Sequence, residues 1–140
     1  MRLLLMSHGN MAQETLKSAE LILGKIEQAT AIGLQPEEGP DELFADAEKA
    51  LAGIKPDESA VVLVDLLGGT PSNVVVRLLA AHPNLKIASG LNLPMLIDFV
   101  NQQLMGKTFD KAQLLTAARN GVMDVNQALA DSADADGDED

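Results

Sequence analysis

Apolar positions along the chain fall into two rhythms. Predominantly apolar runs of strand length stand at Met1–Met6, Ala29–Leu34, Ala60–Val64 and Leu85–Ala88. Between them apolar residues recur at helical spacing, as at Met11, Leu16, Ala19 and Ile22, and at Leu43, Phe44, Ala47, Ala50 and Leu51. Further helices are predicted over Val74–Ala81, Met95–Met105 and Asp110–Ala118, with Gly24, Gly53 and Gly106 as stops. Gly9 or Asn10 suits the cap of the first helix, Asn92 caps a later one, and Pro71 fits a first helical turn. Val122–Val125 suits a short edge strand or a further helical turn, and its periodicity does not choose.

Runs with no polar alternation belong to strands covered on both faces. Strands alternating with helices then predict one α/β domain, a parallel sheet with helices packed on both sides.

Composition narrows the function. Hydrophobic residues make up 46% of the 140, enough for a core, but there are three Phe and no Tyr or Trp. The core is therefore aliphatic, and single-stranded nucleic acid would find almost no stacking platform. A net charge of −11 opposes binding to a phosphate backbone, so no nucleic-acid partner is expected. Six of the 21 acidic residues lie between Asp131 and Asp140, leaving 15 acidic against 10 basic, a net of −5, in the body. The segment 129–140 reads as a disordered acidic tail behind a domain of residues 1–128. The chain has no cysteine, and its two histidines lack metal-ligand spacing, so neither a metal nor a cofactor is expected. No apolar run approaches the length of a membrane span, and a cytoplasmic location follows as the simplest expectation.

Three strand ends carry conspicuous turns: Ser7-His8-Gly9, Asp65 through Pro71, and Ser89 through Asn92. In a parallel sheet all three lie on one edge, the edge where open α/β sheets bind ligands. An imidazole held at one nitrogen by a carboxylate presents a lone pair at the other, as a nucleophilic histidine requires. His8 and Asp65 are the candidates for that pair. Backbone N–H groups over residues 68–73 and around Asn92 suit an anion held at a helix N-terminus. The chemistry that fits best is phosphoryl transfer to and from histidine. Asp65 and the Gly68-Gly69-Thr70 turn also suit plain turn and capping roles, Ser89 and Asn92 read more readily as caps, and His82 reads as a surface residue.

These residues carry a resemblance. Ser7-His8-Gly9 with Ala19-Glu20-Leu-Ile-Leu-Gly24, then Val64-Asp65-Leu-Leu-Gly-Gly-Thr-Pro-Ser-Asn73, then Ser89-Gly90-Leu-Asn-Leu-Pro-Met95 resemble the mannose-type enzyme IIA domain of the bacterial sugar phosphotransferase system. The likeness runs in order from about Met1 to Val125. It implies a three-layer αβα fold with strand order 2-1-3-4, plus an antiparallel edge strand at Gly121–Val125 exchanged across a homodimer. It implies that His8 takes phosphate on Nε2 from phospho-HPr and passes it to a sugar-specific enzyme IIB. Asp65 would fix the tautomer of that ring. Gly9, Gly68, Gly69, Thr70 and Ser72 would hold the phosphoryl oxygens, with Ser89 and Asn92 in a supporting loop. Leu67 stands where the family often has Trp and Ser72 where it often has Phe, so the rim facing partners is less aromatic. A stand-alone IIA is expected, meeting the membrane only through the transporter complex.

Competing readings divide by residue type. A regulatory phosphoprotein of the same fold differs only in where the phosphate goes. A histidine phosphatase needs an Arg before the histidine, where this chain has Ser7. A receiver domain needs a paired acidic cluster where this chain has Leu4-Leu5-Met6.

Overall fold

The computed structural model describes residues 1–55 and 57–137. Its elements follow in the order β1 (Arg2–His8), α1 (Met11–Leu23), β2 (Ala29–Leu34), α2 (Pro40–Ala50), β3 (Ala60–Val64), α3 (Thr70–Ala81), β4 (Lys86–Ser89), α4 (Leu93–Leu104), α5 (Lys111–Asn120) and α6 (Val125–Gly137). The four strands form one sheet in the order β2-β1-β3-β4, and each neighbouring pair is parallel.

Strand alternation sorts the core into two layers. Leu3, Leu5, Val61 and Leu63 point to one face, where they meet Ala12 and Ala19 of α1, Met95 and Phe99 of α4, and Leu114 of α5. Leu4, Met6, Val62 and Val64 point to the other, against Leu43 and Ala47 of α2 and Val74 and Leu78 of α3. Successive side chains of a strand leave opposite faces, so a strand with no polar alternation needs helices on both sides. The runs seen in the sequence are therefore the three-layer architecture itself. Arg77 braces the second layer, with its guanidinium 4.1 Å from the Phe44 ring centre and 2.9 Å from Asp41 Oδ1.

β1 and β3 are neighbours, yet the chain leaves β1 for α1 on one face and β3 for α3 on the other. That divergence opens a crevice beyond the carboxyl ends of the two strands, the place where open α/β sheets bind ligands.

The structure departs from the sequence expectations at the C-terminus. Residues 121–124 form a turn and Val125 begins α6, so within a single chain no antiparallel edge strand forms at Gly121–Val125, and the sheet of the described residues has four strands. An edge strand needs a neighbour to pair with, and Gly121 packs tightly on Pro94 at the start of α4. The residues from 129 onward, expected as a disordered tail, continue as helix to Gly137, with Gln127 Nε2 bonding Asp131 Oδ1 at 2.8 Å one turn on. Residues 138–140 of that expected tail lie outside the described residues.

Candidate functional site

His8 ends β1 and Asp65 follows the last residue of β3. Register places them side by side, because Met6 pairs with Val64 and the ladder carries on through Asp65 N–H to Met6 O at 3.1 Å. Asp65 Oδ2 accepts the His8 backbone N–H at 2.9 Å and lies 2.9 Å from His8 Nδ1. Asp65 Oδ1 accepts the Leu66 N–H at 2.8 Å. Both carboxylate oxygens are thus engaged, and the ring is tied to β3 through side chain and main chain together.

The charge state of Asp65 follows from these contacts. Burial pushes its carboxyl up, but the bonds from the His8 N–H, the His8 ring and the Leu66 N–H, with the imidazole charge, outweigh it. The net pKa lies below the ordinary 3.8. An ionised carboxylate only accepts, so Nδ1 is the donor in this contact, and whenever the ring is neutral its lone pair is on Nε2. The His8 side chain is 47% exposed against 9% for Asp65, so a buried carboxylate holds an accessible ring.

A carboxyl whose pKa is lower in the folded protein stabilises it above the unfolded value, and that contribution is lost as pH falls through the folded value. The stability gap between the protein and Asp65→Asn is therefore expected to be full above about pH 4 and to close below it. Chemical denaturation at a series of pH values checks this; a gap undiminished at about pH 2 would contradict an ionised Asp65.

The other predicted residues take varied places. Gly9 holds φ at +58°, a left-handed turn that lets the chain leave β1 for α1. Its N–H donates to Leu34 O at 2.8 Å, so the expected role as a phosphate donor meets an N–H already engaged. Gly68, Gly69, Thr70 and Ser72 follow Asp65 in one turn. Gly69 has φ +61° and precedes α3, and the first bond back from the helix is Asn73 N–H to Gly69 O at 3.4 Å. The N–H groups of a first helical turn have no intrahelical acceptor, which leaves those of Thr70 and Ser72 available to an anion. Among the described residues no hydrogen bond joins this turn to His8.

The third loop is fastened to the second. Gly90 N–H donates to Asp65 O at 3.1 Å and Leu91 N–H to Val64 O at 3.0 Å, while Ser89 is exposed. Asn92 caps α4 by accepting the Met95 N–H at 2.9 Å, and its Nδ2 donates to Ala118 O at 2.9 Å. It is a capping residue that also ties α4 to α5.

Two roles were missed in the sequence. Asn10 holds the N-cap position of α1, its carbonyl accepting the Glu14 N–H at 3.0 Å, but the side-chain bond comes from elsewhere: the Ser7 hydroxyl accepts the Ala12 N–H at 2.8 Å and donates to Gly9 O at 3.3 Å, with Ser7 1% exposed. His82 is not a free surface residue, since Nε2 lies 2.9 Å from Glu48 Oε1 and ties α3 to α2. Among the described residues no cluster of three or more His, Cys, Asp or Glu could hold a metal ion, and no helix is long and apolar enough to cross a membrane.

Fold and site together define a class: a parallel α/β domain whose first strand presents a carboxylate-oriented imidazole at the switch point of its sheet. Residues 2–113 match the family model described as PTS system fructose IIA component. The chain is 32% identical over 111 residues to the PTS system sorbose-specific EIIA component of Klebsiella pneumoniae, covering 79% of this chain and 81% of that one. It is 30% identical over 118 residues to the PTS system mannose-specific EIIAB component of Escherichia coli (strain K12), covering 83% of this chain but only 36% of the relative's length. The solved EIIA component of the phosphotransferase system from Streptococcus agalactiae superposes with a TM-score of 0.80 at 29% identity, covering 90% and 98% of the two chains. The mannose/sorbose specific IIA subunit from Enterococcus faecalis gives 0.72 at 34% identity, covering 88% and 92%. The chain belongs to the mannose-type EIIA family of the phosphotransferase system.

Proposed function

We propose that the protein is a histidine phosphocarrier of a sugar phosphotransferase system, accepting phosphate from phospho-HPr on His8 Nε2 and passing it to a mannose-family enzyme IIB. The observation that carries this reading is the Asp65 carboxylate held 2.9 Å from His8 Nδ1, which frees Nε2 for attack. In the acceptance step the Nε2 lone pair attacks the phosphorus of the donor's phosphohistidine. The donor's P–N bond breaks, and its electron pair returns to the donor ring nitrogen. The His8 ring keeps its Nδ1 proton and becomes cationic, and the adjacent Asp65 carboxylate offsets that charge. Transfer to enzyme IIB is the same exchange in reverse, with His8 as the leaving group. Such a reaction asks the protein for positioning and charge stabilisation rather than proton transfer.

The first-turn N–H groups of Thr70 and Ser72, with Gly68 and Gly69, face a role in holding the phosphoryl oxygens. Gly9 serves this reading through its turn geometry rather than as a donor. Leu66 and Leu67, 52% and 59% exposed, flank the site and suit the face that meets the protein partners. A cytoplasmic location follows from those partners. Incubation with phosphoenolpyruvate, enzyme I and HPr tests the function: one acid-labile phosphate per chain is expected, and none would overturn it.

The same reading includes a homodimer in which the segment Gly121–Val125 adds to the sheet of a second copy. Its support is the open outer edge of β4 beside a groove of about 510 Å³ lined in part by Ile87, Ala88, Leu115 and Val122. Sedimentation at micromolar concentration is expected to give twice the chain mass; a monomer throughout would remove strand exchange.

A further inference from the structure

The His8 turn is held from two sides. Asp65 holds it from β3, and the carboxyl end of β2 holds it from the opposite side. Gly33 pairs with Ser7 and Leu34 with His8 in the β1–β2 ladder. Leu34 O accepts the Gly9 N–H at 2.8 Å. Gln35 Nε2 reaches Asn10 Oδ1 at 3.3 Å and Gly33 O at 3.1 Å. Gln35 is itself seated by its N–H on Glu38 Oε1 at 2.9 Å.

The tightest point of this arrangement is Gly33. A Cβ there would collide with the Gly9 carbonyl oxygen and carbon, with Gln13 Oε1 at 3.1 Å beyond them. The obstructing atoms are backbone, so no side-chain rotation relieves the clash. The same Gly9 oxygen also accepts from the buried Ser7 hydroxyl at 3.3 Å, and the Ser7 hydroxyl caps α1, so the turn has little room to move the other way. Gln13 Oε1, buried and without a hydrogen-bond partner among the described residues, is a second atom that a Cβ at Gly33 would press upon.

We propose that the end of β2 is a second positioning element for the reactive histidine, and that Gly33 is its decisive residue because only a missing side chain lets the Gly9 carbonyl lie against the strand. Gly33 touches no reacting atom. It acts through the Gly9 turn on where the His8 ring stands relative to Asp65. The kinetic consequence of this clamp rests on the phosphocarrier reading; its geometry does not.

Gly33→Ala tests it. Restoring van der Waals distance displaces the turn by on the order of 1 Å, the scale of misplacement that costs roughly a hundredfold in rate. With phospho-HPr as donor, the rate constant for phosphoryl uptake is expected to fall about tenfold to a hundredfold, with the KM for phospho-HPr within about twofold. The ¹⁵N signals of the His8 ring read the positioning without any phosphoryl donor. The wild type is expected to show an Nδ1–H tautomer, and Gly33→Ala a mixture of tautomers. In an Asp65→Ala background the Gly33→Ala change is expected to add little, because both act on the same contact. A folded Gly33→Ala with wild-type rate and wild-type ring signals would overturn the proposal, and so would full additivity with Asp65→Ala. If Gly33→Ala does not fold, Gln35→Ala decides: a tautomer mixture with about a threefold slower uptake supports the clamp, and unchanged ring signals overturn it. Altered ring signals in a protein that accepts no phosphate would leave the positioning intact and remove only the phosphocarrier reading.

Discussion

His8→Ala is expected to take up no phosphate from phospho-HPr while keeping its fold. The side chain is 47% exposed, so its loss opens little cavity, and its backbone N–H still bonds Asp65 Oδ2. The chain has one other histidine, His82, which sits beyond the C-terminus of α3 and is engaged by Glu48. It follows a helix that begins at the crevice and runs away from it, so it offers no substitute nucleophile. Circular dichroism matching the wild type together with no detectable acid-labile phosphate is the expected pair of results. Labelling that survives in the folded variant would place the reaction elsewhere.

Asp65→Ala is expected to slow uptake by about a hundredfold without abolishing it. The variant keeps the nucleophile but loses three things at once. The ring no longer has a fixed tautomer, so part of the population carries its proton on Nε2 and cannot attack. The ring is free to turn, because its tether at Nδ1 is gone. The cation formed on transfer loses its counter-charge. The backbone N–H of His8 and of Leu66 also lose their acceptor, which is the structural part of the effect. Asp65→Asn separates these contributions: it can keep an acceptor for the main chain while removing the charge. Rapid-quench measurement of uptake distinguishes them, and a wild-type rate in Asp65→Ala would take the carboxylate out of the mechanism.

Much of this was legible in the sequence for a physical reason. A strand such as Ala60–Val64, apolar at both odd and even positions, cannot face water on either side, and that alone demands two helical layers. Once the strands are parallel, His8 and Asp65 must lie on the same edge. Their adjacency needs only that β1 and β3 be neighbours, which the hydrogen-bonded register supplies. What stayed hidden depends on sub-ångström placement or on distant partners. Ser7, Gly9 and Asn10 are all reasonable caps by type, and only the path of the turn puts the Ser7 hydroxyl under the Ala12 N–H. Gly9 looked like a donor to phosphate until the β1–β2 ladder claimed its N–H. Glu48 lies 34 residues from His82, and nothing in the local pattern links them. Gly33 sits inside an apolar run and has no side chain to announce a role. The C-terminal segment is the weakest case, because Val122, Val125 and Leu129 are exposed in the single chain and no core dictates their conformation.

The proposed transfer turns on one atom. It requires the phosphoryl group to sit on Nε2 of His8, the nitrogen facing away from Asp65. ³¹P and ¹H–¹⁵N spectra of the protein phosphorylated through HPr, with the histidine rings ¹⁵N-labelled, read that directly. The predicted result is a single phosphohistidine with phosphorus coupled to Nε2 and a proton retained on Nδ1. Phosphorus on Nδ1, or on any residue other than His8, would contradict it.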